Sequence, residues 1–146
     1  MAVKRPAYTK TTQSQTAVFW TVTSDAGTAW TCDAGVAVGD CVYISAANTV
    51  DVADGDDINK LPAIGIVSSK VDATNCVVKD TAFTTFTRSP VFVANRIYYV
   101  GLAGALYAPA EDPGGTSAPT YWQPMGRGRA SDEILLAPGP LQPILN

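Results

Sequence analysis

Apolar and polar positions alternate only over short distances in this chain. No long window places apolar residues at i, i+3, i+4 and i+7, and Gly, Pro, Thr, Asn and Asp interrupt every run. What recurs is short stretches rich in Val, Ile, Thr, Tyr and Phe. "AVFWTVT" (17–23) alternates, with Val18, Trp20 and Val22 on one face. "DCVYIS" (40–45) follows the turn signal "VAVGD". "PAIGIVSS" (62–69) and "NCVVKDTAFTTF" (75–86) read as a hairpin turning through Asp72 to Asn75. "RIYYV" (96–100), "ALYAP" (105–109), "WQPMGRG" (122–128) and "DEILLAP" (132–138) complete the series. About eight to ten short strands separated by turns predict an all-β domain, a small antiparallel β-sandwich or barrel.

The most patterned stretch is "RIYYVGLAGALYAPA" (96–110). The pleat sends Ile97 and Tyr99 to one face and Tyr98 and Val100 to the other. Both sets are apolar or aromatic, so the strand is expected to be covered on both sides. "GLAG" supplies the backbone freedom of a tight turn and "ALYA" returns antiparallel. The Pro- and Gly-rich "PAEDPGGTSAPT" (109–120) predicts an exposed loop. The ends differ from the middle. "MAVKRPAYTKTTQSQT" (1–16) has few large apolar residues, and 139–146 is interrupted by prolines. Both read as extended arms around a single β-domain over 17–138.

Composition narrows the functional classes. At 146 residues the chain is long enough to bury a core without metals or disulfides. Its net charge of −3, with 16% charged residues, argues against a general grip on nucleic acid. Lys4, Arg5 and Lys10 nevertheless crowd the first ten positions, beside Tyr8. No apolar run approaches a membrane span, and the polar stretch after Arg5 does not read as a secretion signal. Cys32, Cys41 and Cys76 have no C-x-x-C spacing, and two of them precede Val-rich runs. They are expected to be buried free thiols, one disulfide being the alternative, in a chain made and assembled in a reducing cytosol.

The candidates for chemistry are weak. The chain has no histidine, which removes the commonest general base and the Ser-His and Cys-His pairs. "DVADGDD" (51–57) gathers Asp51, Asp54, Asp56 and Asp57, but its spacing is not that of a Ca²⁺ loop, so a solvated acidic turn is expected. "GRGR" (126–129) lacks the Lys-Ser/Thr ending of a phosphate loop and reads as a strand-end bulge with exposed arginines. Glu111–Asp112 and Asp132–Glu133 are the carboxylate pairs that a glycosidase would need to bring together. Trp20, Trp30 and Trp122 are candidates for a sugar platform, or for core and interface anchors. No enzyme emerges, and no cofactor or metal is expected.

The run "VGDCVYISAANTV…ADGDD…LPAIGIVSSK…CVVKD", followed by "RIYYVGLAGAL…YWQPMGRGRASDEILLAP", resembles small β-domains of tailed bacteriophages. Such domains occur in head decoration (capsid cement) proteins and as modules of tail fibres and baseplates. The resemblance spans roughly residues 36 to 138, and departs from the pattern at the apolar Gly-Leu-Ala-Gly-Ala corner. It implies a structural virion protein on the capsid surface, binding the major capsid protein and itself, as a trimer by analogy. A tail, baseplate or receptor-binding module is the alternative, and a carbohydrate-binding domain a more distant one. Two contact sites follow as expectations. Tyr98, Leu102 and Leu106 are candidates for the oligomer interface, because an apolar corner facing water usually marks one. Lys4, Arg5, Tyr8 and Lys10 are candidates for an attachment arm.

Overall fold

The computed structural model describes residues 27–143. The predicted strand at 17–23 with Trp20, the arm residues Lys4, Arg5, Tyr8 and Lys10, and residues 144–146 lie outside the described residues. Within them the chain is all-β, with twelve short strands and only three-residue 3-10 turns.

The first five strands close on themselves. β1 (Thr28–Cys32), β2 (Cys41–Ala46), β3 (Thr49–Val52), β4 (Gly65–Asp72) and β5 (Asn75–Lys79) form a barrel in the order β1-β3-β2-β4-β5. Only β1 and β3 run parallel; the β1–β5 pairing that closes the barrel is antiparallel, with Trp30 opposite Cys76. Closure removes free strand edges from this half of the molecule. The hairpin expected at Asp72–Asn75 is present between β4 and β5, and the Asp72 carboxylate accepts from the Thr74 backbone and the Asn75 side chain.

The second half is an open antiparallel sheet. β6 (Ala82–Thr85), β7 (Ile97–Val100), β8 (Leu106–Tyr107), β10 (Pro124–Ala130) and β11 (Glu133–Leu136) stand in the order β6-β11-β10-β7-β8. β9 (Tyr121–Trp122) pairs with β12 (Gln142–Pro143) beside them. The stretch 75–86, read from sequence as one strand, is two. β5 ends in the barrel at Lys79 and β6 begins in the other sheet, after a polar Asp-Thr link and an Ala82 held at φ +62°. Lys79 spans the break, its ammonium donating to the Phe83 carbonyl at 2.6 Å.

Two cores result. Cys32, Val36, Val42, Val50, Val67, Cys76 and Val78 fill the barrel. Cys41, Ile66, Phe92, Tyr98, Val100, Leu106, Met125, Ile134 and Leu136 lie between barrel and sheet. The wall strands β2 and β4 serve both at once. Cys41 and Ile66 belong to the shared core, whereas their neighbours Val42 and Val67 belong to the barrel interior. This explains why "CV" and "IV" do not alternate with polar residues: a strand buried on both faces needs none.

Candidate interaction surface

The hairpin 96–110 pairs antiparallel as the sequence predicts, with Tyr99 opposite Tyr107 and Val100 opposite Leu106, but only one face is fully covered, Ile97 and Tyr99 being half-buried. The three residues expected at an oligomer interface are largely covered within the chain. Tyr98 is completely buried and Leu106 nearly so, both in the core between the sheets, and Leu102 is half-buried. The Gly-Leu-Ala-Gly corner is only partly open to water, at Ala103 and Leu102, because its two glycines dock on the barrel. The Gly104 N–H donates to the Ala53 carbonyl at 2.7 Å, and the Gly55 N–H donates to the Gly101 carbonyl at 2.8 Å. Gly104 sits at φ +82°, and a Cβ there would meet Val52 and Asp40. Tyr98 and Leu106 are therefore core residues rather than interface residues, and their apolar character is used within the chain.

Tyr98 also belongs to a buried polar cluster that no sequence pattern announces. The Arg88 guanidinium forms a bidentate pair with Glu111 at 3.0 and 2.7 Å, both side chains being about nine-tenths buried. Arg88 further donates to the Pro90 and Leu106 carbonyls and stacks over the Phe92 and Tyr98 rings. The Tyr98 hydroxyl donates to Glu111 at 3.1 Å and accepts from the Val93 N–H at 2.9 Å. Burial alone would raise the Glu111 carboxyl pKa, but Arg88, Tyr98 and Arg96 together hold it below the usual carboxylate range. Every partner of this pair is intramolecular, so it fastens the loop 109–120 to the sheet and offers no free acid or base. A second such fastening is Gln123. Its buried amide accepts from the Ala63 N–H at 2.7 Å and donates to the Ala63 carbonyl at 2.8 Å, tying the approach to β4 onto the sheet.

The remaining sequence candidates stay apart. Glu133 pairs with Arg129, and Asp112 caps the turn at Thr116–Ser117, so the two acidic pairs are engaged separately. In "DVADGDD", Asp54 and Asp57 cap local backbone while Asp56 accepts from Thr120. No cluster of three potential metal ligands exists among the described residues. Trp122 packs edge-on between Tyr99 and Tyr107, and Trp30 leans on the barrel core. Cys32, Cys41 and Cys76 are free thiols, all buried.

Among the surfaces the fold leaves open is the outer face of the second sheet. Register aligns Phe83, Leu135, Arg127 and Ile97 in one row across β6, β11, β10 and β7. Phe83 is 39% and Leu135 40% exposed. A groove of about 270 Å³ runs along this face, lined by Ile97, Pro124, Gly126, Arg127, Leu135 and Ala137. Two cations frame it: Arg129 lies 4.1 Å over the Phe83 ring, and Arg127 donates to Asn95. The glycines of "GRGR" are inward-facing, where a Cβ on Gly126 would strike the Leu135 carbonyl and one on Gly128 the Val93 carbonyl. The arginines project outward, and a bulge interrupts the ladder between Gly128 and Ala130.

No protein-family model, curated protein or solved structure matches the chain. Among the described residues no helix is long and apolar enough to cross a membrane. The chemistry of the site rests on its geometry alone: an apolar strip framed by arginines suits contact with another macromolecule whose surface is apolar and acidic.

Proposed function

We propose that this chain is a structural virion protein, a decoration protein that binds the outer surface of a tailed-phage head. The observation that carries the reading is the motif run "GDCVYI…AIGIVSS…RIYYVGLAGAL…QPMGRG…EILL". Its segments form β2, β4, the β7–β8 hairpin, β10 and β11, which together supply most of the core between the two sheets. A protein of this kind stabilises a shell by mass action, because it binds the assembled lattice and not its separated subunits. Repeated weak contacts along the lattice add avidity. The face carrying Phe83, Leu135, Ile97, Arg127 and Arg129 is the contact surface proposed among the described residues, with the basic segment 1–16 as an attachment arm.

The test is co-sedimentation with undecorated heads of the virus that encodes the chain. Saturable binding that raises the temperature of head disruption is expected, and deletion of residues 2–16 should weaken it more at low salt than at high salt. Association with isolated tails and not with heads would replace this reading by a tail or baseplate role. Light scattering of the free protein tests the accompanying proposal of a homotrimer.

A further inference from the structure

Cys32, Cys76 and Lys70 occupy one end of the barrel on three consecutive strands. Register places Lys70 of β4 opposite Cys76 of β5, and Cys76 opposite Trp30 of β1. Cys32 is two residues further along β1, where its N–H donates to the Thr74 carbonyl. Both sulfurs face the barrel interior and belong to one packed cluster. The Lys70 ammonium lies 3.4 Å from the Cys32 sulfur and donates also to the Ala73 carbonyl at 3.0 Å. Burial, then the adjoining Cys32 thiol, push the Cys76 pKa up to about 11, which keeps the Cys76 thiol protonated at neutral pH. An opening of about 250 Å³, lined by Trp30, Asn48, Val71 and Cys76, reaches the Cys76 end of the cluster from solvent. Cys41 differs in each respect. It is fully buried on the opposite side of the wall, in the core between the sheets, and burial raises its pKa strongly.

We propose that Cys32 and Cys76 form a dithiol oxidation site, closed to an intramolecular disulfide by a small peroxide. Lys70 places a cation beside the attacking sulfur, the environment in which thiolates react. The Cys32 thiolate attacks one peroxide oxygen; the S–O bond forms, the O–O bond breaks, and the departing hydroxide takes a proton and leaves as water. The Cys76 sulfur then attacks the Cys32 sulfenic acid. The S–S bond forms, the S–O bond breaks, and a second water carries away the Cys76 proton. The two sulfurs lose two electrons and the peroxide gains them. The product ties β1 to β5 across the seam that closes the barrel. This inference does not depend on the proposed virion role.

The experiment treats the reduced, full-length protein with hydrogen peroxide at neutral pH, then blocks remaining thiols with N-ethylmaleimide in denaturant. The expected product is lighter by two hydrogens, about 2 Da. It takes up one maleimide, at Cys41, and yields a linked Cys32–Cys76 peptide that dithiothreitol separates. Lys70→Met should slow the closure about tenfold, and Lys70→Arg should keep it within about threefold of wild type. Circular dichroism before and after peroxide checks that the barrel stays folded. Three maleimides on peroxide-treated wild type, a link to Cys41 or between chains, sulfinic acid without a link, or an oxygen-bridged Lys70–Cys32 product would each overturn the proposal.

Discussion

The two halves of this molecule solve the same problem with different materials. The barrel is filled by Val and Cys, small side chains that suit five strands closed around a narrow axis, and pairing leaves it no edge. The open sheet buries Phe92, Tyr98, Met125, Ile134 and Leu136 against the barrel wall. It adds buried polar fastenings at Arg88–Glu111 and Gln123, and keeps its outer face partly apolar. A closed barrel satisfies its own backbone and needs little else. An open sheet has a second face and two edge strands, which pairing within the chain leaves uncovered. The difference places the largest buried side chains at the seam between the halves and leaves the outer face of the sheet as the contact surface proposed above.

The largest effect should come from the seam. Tyr98→Ala removes a fully buried ring and also the hydroxyl that serves Glu111 and Val93. A loss of about 4 kcal/mol is expected from denaturant unfolding. Val50→Ala, in the barrel interior, removes two methyl groups and should cost about 2 kcal/mol. If the barrel substitution proved the costlier, the seam would not be the principal store of stability and the comparison would fail.

Glu111→Gln tests whether the polar fastening of the sheet is structural. It leaves Arg88 buried without its counter-charge, and about 3 kcal/mol should be lost at neutral pH. The pH dependence has a definite sign. A carboxyl held below its usual value in the folded state contributes stability above the unfolded pKa, about 4.3, and loses it as pH falls through the lower folded value. Wild type should therefore weaken on acidification below about pH 4.5 more steeply than Glu111→Gln, and the gap between them should narrow. Asp40, raised by burial above its usual value, acts in the opposite sense and cannot produce that acid limb. Parallel urea midpoints across the acid range for the two proteins would show that Glu111 is not the group responsible.

Much of the strand pattern was legible because β-branched and aromatic runs are intrinsically extended: "CVYI", "AIGIV", "RIYYV" and "EILL" all became strands. The break at Asp80–Thr81 was not, since nothing local says that two halves of an apolar run serve different sheets. Tyr98 was misplaced for a related reason. Pleat parity separates Tyr98 from Tyr99 but does not say which face meets another sheet. Arg88 and Glu111 are 23 residues apart and carry no motif, so their pairing depends wholly on the tertiary fold. The open face was invisible in the same way. Phe83, Ile97, Arg127 and Leu135 come from four strands, and only register brings them into one row.

That row supports the smallest expected change in stability and the sharpest test of the comparison. Leu135 and Phe83 are directly opposite one another on β11 and β6, and each keeps about two fifths of its surface in water. Shortening them removes contacts that the fold hardly uses, so Leu135→Ser should change unfolding free energy by about 0.5 kcal/mol or less. Phe83→Ser should cost somewhat more, about 1 kcal/mol, because it also frees the stacked Arg129 guanidinium. Both substitutions break up an exposed apolar strip, and any association that uses the strip loses buried area at its centre. Binding to heads, or self-association measured by light scattering, should therefore fall at least tenfold in the double variant while its thermal midpoint stays within a few degrees of wild type. An unchanged association would move the contact surface off this face. A collapse in stability would show that the outer face belongs to the folding core after all, and the division between a load shared at the seam and a surface left for a partner would be lost.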